Sequence, residues 1–416
     1  MIRRFSLYGF LKNQRYFEPF LLLVFLDKGL TFLEIGLLIS IREGAVIVME
    51  VPSGAIADVY GRRKSMIVSF TAYIASFLVF AAVDVFVLLA VAMVLFGIGD
   101  AFRTGTHKAM IFSWLRAQGR EGERTKVYGY TRSWSKFGSA LSSVLASAFV
   151  FASGNYNWVF YAAIVPYVLS IINFLGYPAE VEDKEKQQEH VVRHMWQTLT
   201  TSLRVPVLRR LYAESMGYEG LFHAVKDYIQ PVVTAGAVAF AAGIVAAGTL
   251  SQTRLTALAL APVYVSLYLL SGLASRRAHT IVDRHESEDA AAGTIWRMTF
   301  VVFLALGIAA YVDRLWYVVT AFIALHVLQN FWRPILISRF DVHGGGRQGA
   351  TLLSVESQAC RFGTMLFAPL VGWSVDAVTR NGWGGSFWPI GAIGVLVAGA
   401  FIIGRRGSAP PDVTKG

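Results

Sequence analysis

The sequence predicts an all-α polytopic membrane protein with about twelve transmembrane helices in two pseudo-symmetric six-helix bundles. Of its 416 residues, 55% are hydrophobic and 16% are charged, and the mean hydropathy is +0.51. A soluble chain carries about 25% charged residues. Apolar runs recur along almost the whole chain, and each approaches the roughly 20 residues that a spanning helix needs. These runs are too continuous for the alternating strands of a membrane β-barrel.

Each apolar run is expected to be helical, because lipid offers no hydrogen-bond partner to backbone N–H and C=O groups. The predicted spans are residues 7–29, 33–57, 65–84, 86–111, 126–151, 156–177, 206–230, 254–275, 294–312, 315–337, 350–376 and 386–404. No small-residue cleavage site follows the first run, so we expect it to be retained as an anchor. Segment 231–251 is also apolar, but counting it as a span conflicts with the loop charges. We expect a surface excursion or a broken extension of the seventh helix.

Cationic residues cluster in alternate loops, which is the distribution that places those loops in the cytoplasm. The expected inner loops and tail contain Arg62, Arg63 and Lys64; Arg116, Arg120 and Arg124; Arg276, Arg277 and Arg284; Arg339 and Arg347; and Arg405 and Arg406. Both termini are therefore expected in the cytoplasm, and the membrane is expected to be the cytoplasmic (inner) membrane of a prokaryote. The same bias accounts for the net charge of +11, so we expect no nucleic-acid partner.

A polar segment separates two sets of six predicted spans. The expected divisions are an N-terminal bundle at 1–178, a cytoplasmic linker at 179–205, a C-terminal bundle at 206–408 and a cytoplasmic tail at 409–416. Within the linker, a run of charged residues at 180–189 precedes apolar residues at helical spacing between Val191 and Leu203. That spacing predicts an amphipathic helix on the inner membrane surface or under the bundle.

The loop between the second and third spans carries the most specific pattern of the chain: Gly54, Asp58, Gly61, Arg62 and Arg63. Gly54 is expected to let the second helix pack closely against a partner, and Gly61 is expected to supply a tight turn. Asp58 and Arg62 have the four-residue spacing of an ion pair. This pattern resembles the loop signature of the major facilitator superfamily of secondary transporters.

The resemblance covers the whole chain and implies two six-helix lobes that rock around a site near the middle of the membrane. It also implies that Gly54, Asp58, Gly61, Arg62 and Arg63 act in gating and do not bind substrate. The corresponding loop of the second half, Gly272-Leu-Ala-Ser-Arg-Arg, has no carboxylate. A purely topological role for Asp58 and the arginines is the alternative.

Ionisable residues inside spans are costly and usually face a cavity or a partner. The resemblance implies that helices one, four, seven and ten line the central cavity, joined by parts of two, five, eight and eleven. The candidate cavity residues are Arg42, Glu43, Asp100, Arg103, His107, Arg132, Lys226, Gln329 and Arg333. Arg42, Arg103, Arg132 and Arg333 are the expected counter-charges for an anionic or zwitterionic solute. Internal salt bridges, such as Asp100 with Arg103 or Glu356 with Arg361, are the alternative.

Glu18, Glu219 and His223 are the candidates for proton coupling, because carboxylates and histidine can carry a proton through a transport cycle. No catalytic or cofactor-binding residue is predicted, and the chain lacks the Gly-x4-Gly-Lys pattern of an ATP-binding loop. The only cysteine is Cys360, which predicts neither a disulfide nor a soft-metal cluster. No metal site and no cofactor are therefore expected.

The functional hypothesis is secondary active transport of a small polar, charged solute by alternating access, in a monomer, with protons as the candidate coupling ion. The direction of transport stays open. One alternative is a drug/proton antiporter that exports amphiphilic compounds, although the fifth helix reads Gly138-Ser-Ala-Leu-Ser-Ser instead of a Gly-Pro-rich signature. A second alternative is a membrane-embedded enzyme or receptor-like scaffold. It needs a convergent catalytic set, whereas the polar residues are spread over both halves.

Overall fold

The computed structural model describes residues 1–104, 106–178, 200–242, 248, 250–285, 287–344 and 349–406. These residues form helices and connecting turns, and no strand occurs among them. Contacts divide the chain into two compact units. Unit 1 consists of Met1–Leu30, Leu37–His194 and Ala237–Tyr268, and unit 2 of Thr31–Gly36, Met195–Gly236 and Leu269–Gly416.

The helices follow the apolar runs of the sequence. Up to residue 178 they are α1 (Ile2–Leu11), α2 (Leu21–Asp27), α3 (Phe32–Tyr60), α4 (Arg62–Ala82), α5 (Phe86–Arg103), α6 (Thr106–Ala117), α7 (Arg124–Ser153) and α8 (Trp158–Leu175). After residue 200 they are α9 (Pro206–Ser215), α10 (Leu221–Val225), α11 (Ile229–Phe240), α12 (Gln252–Arg276), α13 (Ala278–Val282), α14 (Glu288–Tyr311), α15 (Leu315–Gly344), α16 (Gly349–Asn381) and α17 (Trp388–Arg406).

Eight helical segments of the described chain are long and apolar enough to cross a membrane, which agrees with the predicted polytopic all-α fold. They are Arg62–Ala82, Phe86–Ala117, Glu121–Ser153, Trp158–Leu175, Gln252–Arg276, Glu288–Tyr311, Leu315–Val342 and Thr351–Asn381. A further apolar helix, Trp388–Gly404, is shorter. Helix α3 carries several ionisable residues, including Arg42 and Glu43, which lower its apolar character.

The prediction of a continuous first span at 7–29 was wrong. Helix α1 ends at Leu11, the chain passes through turns, and α2 begins at Leu21. Pro19 lies in this interruption; it has no backbone N–H and disfavours the helical conformation at the residue before it. The fourth predicted span is also divided, because α5 ends at Arg103 and Thr104 adopts an extended conformation before α6.

The seventh predicted span is helical but irregular. After α9 the chain forms one π-helical turn, Met216–Gly220, then α10, a 3-10 turn at Lys226–Tyr228, and α11. Helix α11 continues to Phe240, so the first half of segment 231–251 extends the seventh helix. Residues 243–247 and 249 lie outside the described part of the chain, as do residues 179–199, which include most of the predicted amphipathic helix. The predicted domain boundaries therefore stay predictions.

The start of α3 belongs to unit 2 and has its free backbone donors satisfied. Thr31 and Glu34 form a capping box: the Thr31 N–H donates to Glu34 Oε2 at 2.8 Å, and the Glu34 N–H donates to Thr31 Oγ1 at 3.2 Å. The N–H groups of Phe32 and Leu33 donate to the Asp376 carboxylate of α16 at 3.2 and 2.7 Å. A carboxylate at a helix N-terminus is stabilised by the helix dipole, so Asp376 anchors this end of α3.

Candidate functional site

Unit 1 contains a polar cavity of about 270 Å³. It is lined by Gly9, Lys12, Asn13, His107, Tyr128, Thr131, Arg132, Ser135, Lys136 and Ser139. The residues after position 127 recur every three or four positions along α7, which is the spacing of one helix face. The sequence thus places hydroxyl groups and two cations on the same side of a membrane helix.

The interruption of the first span supplies the opposite wall. Lys12 and Asn13 immediately follow the last residue of α1. Non-helical backbone at membrane depth is tolerated where protein buries it or where it lines a cavity. Asn13 joins the two walls, because Ser139 Oγ donates to Asn13 Oδ1 at 3.3 Å. The break in the helix therefore brings a cation and an amide to the cavity.

Two glycines allow α1 and α7 to approach at backbone distance. A Cβ atom on Gly9 would lie 2.7 Å from the carbonyl oxygen of Thr131, and one on Gly138 would lie 2.7 Å from the carbonyl oxygen of Phe10. No side chain fits at either position without movement of the backbone. The amide of Gln14 adds a buried hydrogen bond, with Nε2 donating to the Gly138 carbonyl at 3.1 Å. This contact holds the two cavity walls together.

The cavity carries positive charge that the described part of the protein does not neutralise. Lys12, Arg132 and Lys136 have no carboxylate partner among the described residues, and the lining contains no Asp or Glu. His107 Nε2 is buried and accepts or donates no hydrogen bond within the same part of the chain. Because uncompensated charge inside a membrane protein is costly, such a cluster is suited to an anionic ligand.

Arg132 and His107 are the predicted cavity residues that line this site. Other predicted residues of unit 1 are paired with each other. Arg103 Nη2 lies 2.8 Å from Asp100 Oδ1, as the salt-bridge alternative predicted, and both side chains also hydrogen-bond the Tyr73 hydroxyl. Arg42 Nε donates to Glu43 Oε1 at 3.0 Å. Their positive charges are thus compensated within the protein.

The predicted cavity cations of unit 2 are also paired. Arg333 donates to both oxygens of the buried Glu356, at 2.6 and 3.0 Å. Lys226 Nζ donates to both oxygens of Asp227, at 2.8 and 2.9 Å. A bidentate pair of this kind leaves little charge for an external anion. Among these cations of the two units, those without a carboxylate partner in the described part of the chain are Lys12, Arg132 and Lys136 of unit 1.

Glu219 and His223, two of the candidates for proton coupling, lie together in unit 2. Glu219 is 2% exposed and belongs to the π turn, a helical irregularity that often marks functional sites. Its Oε2 accepts a hydrogen bond from Gln329 Nε2 at 3.1 Å and lies 3.7 Å from His223 Nε2. Cys360 completes a group whose possible ligand atoms all lie within 4.8 Å of one another. The third candidate, Glu18, lies in the interruption between α1 and α2.

The predicted gating loop forms the turn between α3 and α4. Gly61 has a φ of +97°, a conformation that favours glycine, as predicted. Arg62 Nη1 donates to Ser113 Oγ at 2.9 Å and Arg63 Nη1 donates to the Tyr177 carbonyl at 3.0 Å, both within unit 1. The Asp58 side chain lies outside the described residues.

Close packing at Gly54 was predicted and is not observed. No described atom would lie within 4 Å of a Cβ on this residue. In the described part of the chain, no neighbouring helix therefore requires a glycine at this position.

Several cavity residues were missed by sequence reasoning. Lys12 and Asn13 were overlooked because the first span was predicted as one continuous helix. The residues of α7 carry a readable signal, since Thr131, Ser135 and Ser139 recur every four positions. A hydroxyl stripe beside two cations on one helix face is unusual for a lipid-facing surface and points to a polar cavity.

The comparisons with known proteins agree with this fold. A family model described as Major Facilitator Superfamily matches residues 13–351. An uncharacterized MFS-type transporter, YxaM from Bacillus subtilis (strain 168), is 33% identical over 90 residues, which make up 22% of this chain and 23% of that protein. The chain thus aligns with less than a quarter of that relative's length.

Solved structures are similar over nearly the full chain. The crystal structure of nucleoside transporter NupG has a TM-score of 0.76 at 13% identity, covering 97% of this chain and 98% of NupG. The crystal structure of a D-xylose-proton symporter has a TM-score of 0.61 at 15% identity, covering 96% of each chain. At these identities the likeness shows the fold alone.

Proposed function

The chain belongs to the major facilitator superfamily, and on that premise we propose that it is a secondary active transporter for a small solute that carries negative charge. Members of this family are transporters, so the chain is not an enzyme. The cavity of unit 1 is the proposed binding site for the anionic group, with Arg132, Lys136 and Lys12 as counter-charges. The remaining predicted cavity residues form ion pairs within the protein or line the transport route.

The observation that carries this proposal is the charge balance of the cavity. Three cations and a histidine surround it without a carboxylate in the lining. Its volume of about 270 Å³ lies near the lower end of ligand pockets, which span roughly 300–1,000 Å³. A phosphate, a small carboxylate or the charged end of a larger solute matches that volume and charge. A lipophilic drug matches neither, so the antiporter alternative has no support from this site.

The interruptions of the first and seventh helices favour a transport site. These two helices hold corresponding positions in the two predicted halves, and interrupted helices at corresponding positions are the usual location of substrate and ion sites in transporters with internal repeats. The first interruption contributes Lys12 and Asn13 to the cavity. The seventh places Glu219 in a π turn.

We further propose that Glu219 and His223 carry the coupling proton, with Glu18 as a third candidate. Gly54, Asp58, Gly61, Arg62 and Arg63 are assigned to gating on the family pattern. The proposed location is the cytoplasmic (inner) membrane of a prokaryote, with both termini in the cytoplasm and a monomer as the working unit.

The test of the anionic solute begins with ligand-induced thermal shifts of the purified protein in detergent. The panel contains inorganic phosphate, mono- and dicarboxylates, sugar phosphates and nucleotides, with nucleosides and D-xylose as neutral counterparts because two similar folds are named for them. We expect stabilisation by an anion and not by its neutral counterpart. Binding of that anion should weaken about tenfold or more in Arg132→Gln and Lys136→Gln, since a charged hydrogen bond is worth roughly 1.5–3 kcal/mol.

Lys126→Gln is the matched control. Lys126 lies on the same helix as Arg132 and Lys136, but its side chain is exposed and does not line the cavity. This variant should bind the anion as the wild type does. Stabilisation by neutral ligands alone, or equal losses in all three variants, would contradict the assignment of the cavity as an anion site.

A further inference from the structure

Three different metal-ligand side chains meet in unit 2, on two separate spans: the irregular seventh helix and α16. Glu219 lies in the π turn, His223 follows in α10, and Cys360 comes from α16. One carboxylate oxygen, one imidazole nitrogen and the thiol sulfur all lie within 4.8 Å of one another. The cysteine count had predicted no soft-metal cluster, but folding supplies Cys360 with nitrogen and oxygen neighbours that are more than 130 positions away in the sequence.

Close backbone packing at two glycines holds the π turn and α16 next to each other. A Cβ on Gly220 would lie 2.8 Å from the backbone of Gly363, and a Cβ on Gly363 would lie 2.5 Å from the carbonyl oxygen of Met216. Gly220 directly follows Glu219, and Gly363 lies three residues after Cys360, on the next turn of α16. The backbone packing therefore places the carboxylate and the thiol side by side.

The Glu219 carboxylate has a buried oxygen that no described residue satisfies. Oε2 accepts from Gln329 and faces His223, whereas Oε1 is fully buried and has no hydrogen-bond partner in the described part of the chain. A buried polar atom without a partner costs about 1–3 kcal/mol. A cation bound through Oε1 would remove that cost. The His223 side chain is 41% exposed, so the group is not fully enclosed by protein on that side.

We propose that Glu219, His223 and Cys360 bind a transition-metal ion of the Zn²⁺ type. Thiolate, imidazole and carboxylate are the ligands of zinc sites, and three protein ligands leave a fourth tetrahedral position for water or another ligand. The thiolate selects against Mg²⁺ and Ca²⁺, which take oxygen ligands. Thiolate and carboxylate together balance the charge of a divalent ion.

The surroundings of the group fit a cation. Arg333 of α15 is already neutralised by Glu356 through two hydrogen bonds. Gln329 orients the Glu219 carboxylate by donating a hydrogen bond to it, as partners of metal ligands commonly do. An ion bound here joins the π turn to α16, and so links the irregular seventh helix to a neighbouring span.

Cys360 is the only cysteine of the chain, which allows a direct test. Alkylation of the purified full-length protein by a maleimide is followed over time, with and without Zn²⁺. We expect Zn²⁺ to slow labelling about tenfold or more, and Mg²⁺ to have no effect. Loss of a residue that only supports a metal ligand weakens metal affinity by about 10–100-fold, and loss of a ligand itself should weaken it at least as much. Glu219→Gln and His223→Gln should therefore remove the protection at the same Zn²⁺ concentration.

His279→Gln is the control, because His279 is an exposed histidine of the same unit outside the group. It should retain full protection. Co²⁺ added to the wild type gives a second readout, a thiolate-to-metal absorption band, which Cys360→Ser should abolish. Unchanged labelling of the wild type in saturating Zn²⁺ would overturn the proposal, whether or not the variants fold. Protection that survives in both Glu219→Gln and His223→Gln would also overturn it, by reducing the site to a single thiol. These measurements need no transport substrate, so their outcome is separate from that of the proposed anion site. An ion held by Glu219 and His223 would exclude the coupling proton from these side chains, so transport is measured without metal.

Discussion

Arg132, Lys136 and Lys12 stand apart from most cations inside the two units. Arg103 and Arg333 each have a carboxylate at hydrogen-bond distance. Removing one partner of such a buried pair leaves an uncompensated charge and destabilises the protein. The three cavity cations have no carboxylate partner among the described residues. Residue type and position inside a span do not distinguish these two classes. The distinction depends on which side chains folding brings within reach.

At the same scale, we expect Glu219→Gln to uncouple transport from the proton gradient. Glu219 is 2% exposed, and an amide cannot take up or release the proton that a buried carboxylate exchanges during a transport cycle. In proteoliposomes, in metal-free buffer, the wild type should accumulate the anion identified by thermal shift when a proton gradient is imposed. Glu219→Gln should exchange that anion across the membrane but fail to accumulate it.

Glu121→Gln is the control for this measurement, since Glu121 is an exposed carboxylate at the end of a span and does not line the polar cavity. Its accumulation should match the wild type. Accumulation that persists after a protonophore collapses the gradient would reject proton coupling. Wild-type accumulation by Glu219→Gln would reject this residue as the proton carrier while leaving coupling itself intact.

At the scale of elements, backbone contacts at glycines position both groups of functional residues. Gly9 and Gly138 bring α1 against α7 around the polar cavity, and Gly220 and Gly363 bring the π turn against α16 around Glu219. In the predicted order of spans, these are the first with the fifth and the seventh with the eleventh. Corresponding helices of the two halves thus use the same kind of contact.

Gly138→Ala should lower stability and weaken anion binding. The added Cβ would lie 2.7 Å from the Phe10 carbonyl oxygen, so α1 and α7 must separate, and overpacking of this kind costs about 1–3 kcal/mol. Thermal unfolding in detergent measures the first effect, and the ligand-induced shift measures the second.

Gly129→Ala provides the comparison on the same helix. No described atom lies within 4 Å of a Cβ at Gly129, so alanine should leave stability unchanged or raise it by about 0.5–1 kcal/mol. If the two glycine variants have the same melting temperature, the contact between α1 and α7 does not depend on Gly138.

At the scale of the whole molecule, the family assignment and the loop charges make a joint prediction about orientation. In a Cys360→Ser background, Gln118→Cys reports on the cationic loop between α6 and α7, and Asn155→Cys on the loop between α7 and α8; both residues are exposed. A membrane-impermeant maleimide applied to spheroplasts, whose cytoplasmic membrane is intact, should label only Asn155→Cys. Permeabilised cells should label both.

The reverse labelling pattern would place the cationic loops outside and contradict the positive-inside assignment of the termini. Labelling of both positions in intact cells would show that one of the two loops is not on the side that its charge predicts.

The amino-acid sequence by itself determined the all-α polytopic fold, most spans and the family, because apolar length, loop charge and the Gly54–Arg63 loop pattern are local signals. The interruption after Leu11 has a local signal in Pro19. Only the tertiary structure decided which charges are paired. The pairing of Arg333 with Glu356 and the meeting of Cys360 with Glu219 depend on contacts between different helices. Inside a membrane, those contacts determine whether an ionisable side chain is a structural ion pair or a site for a ligand.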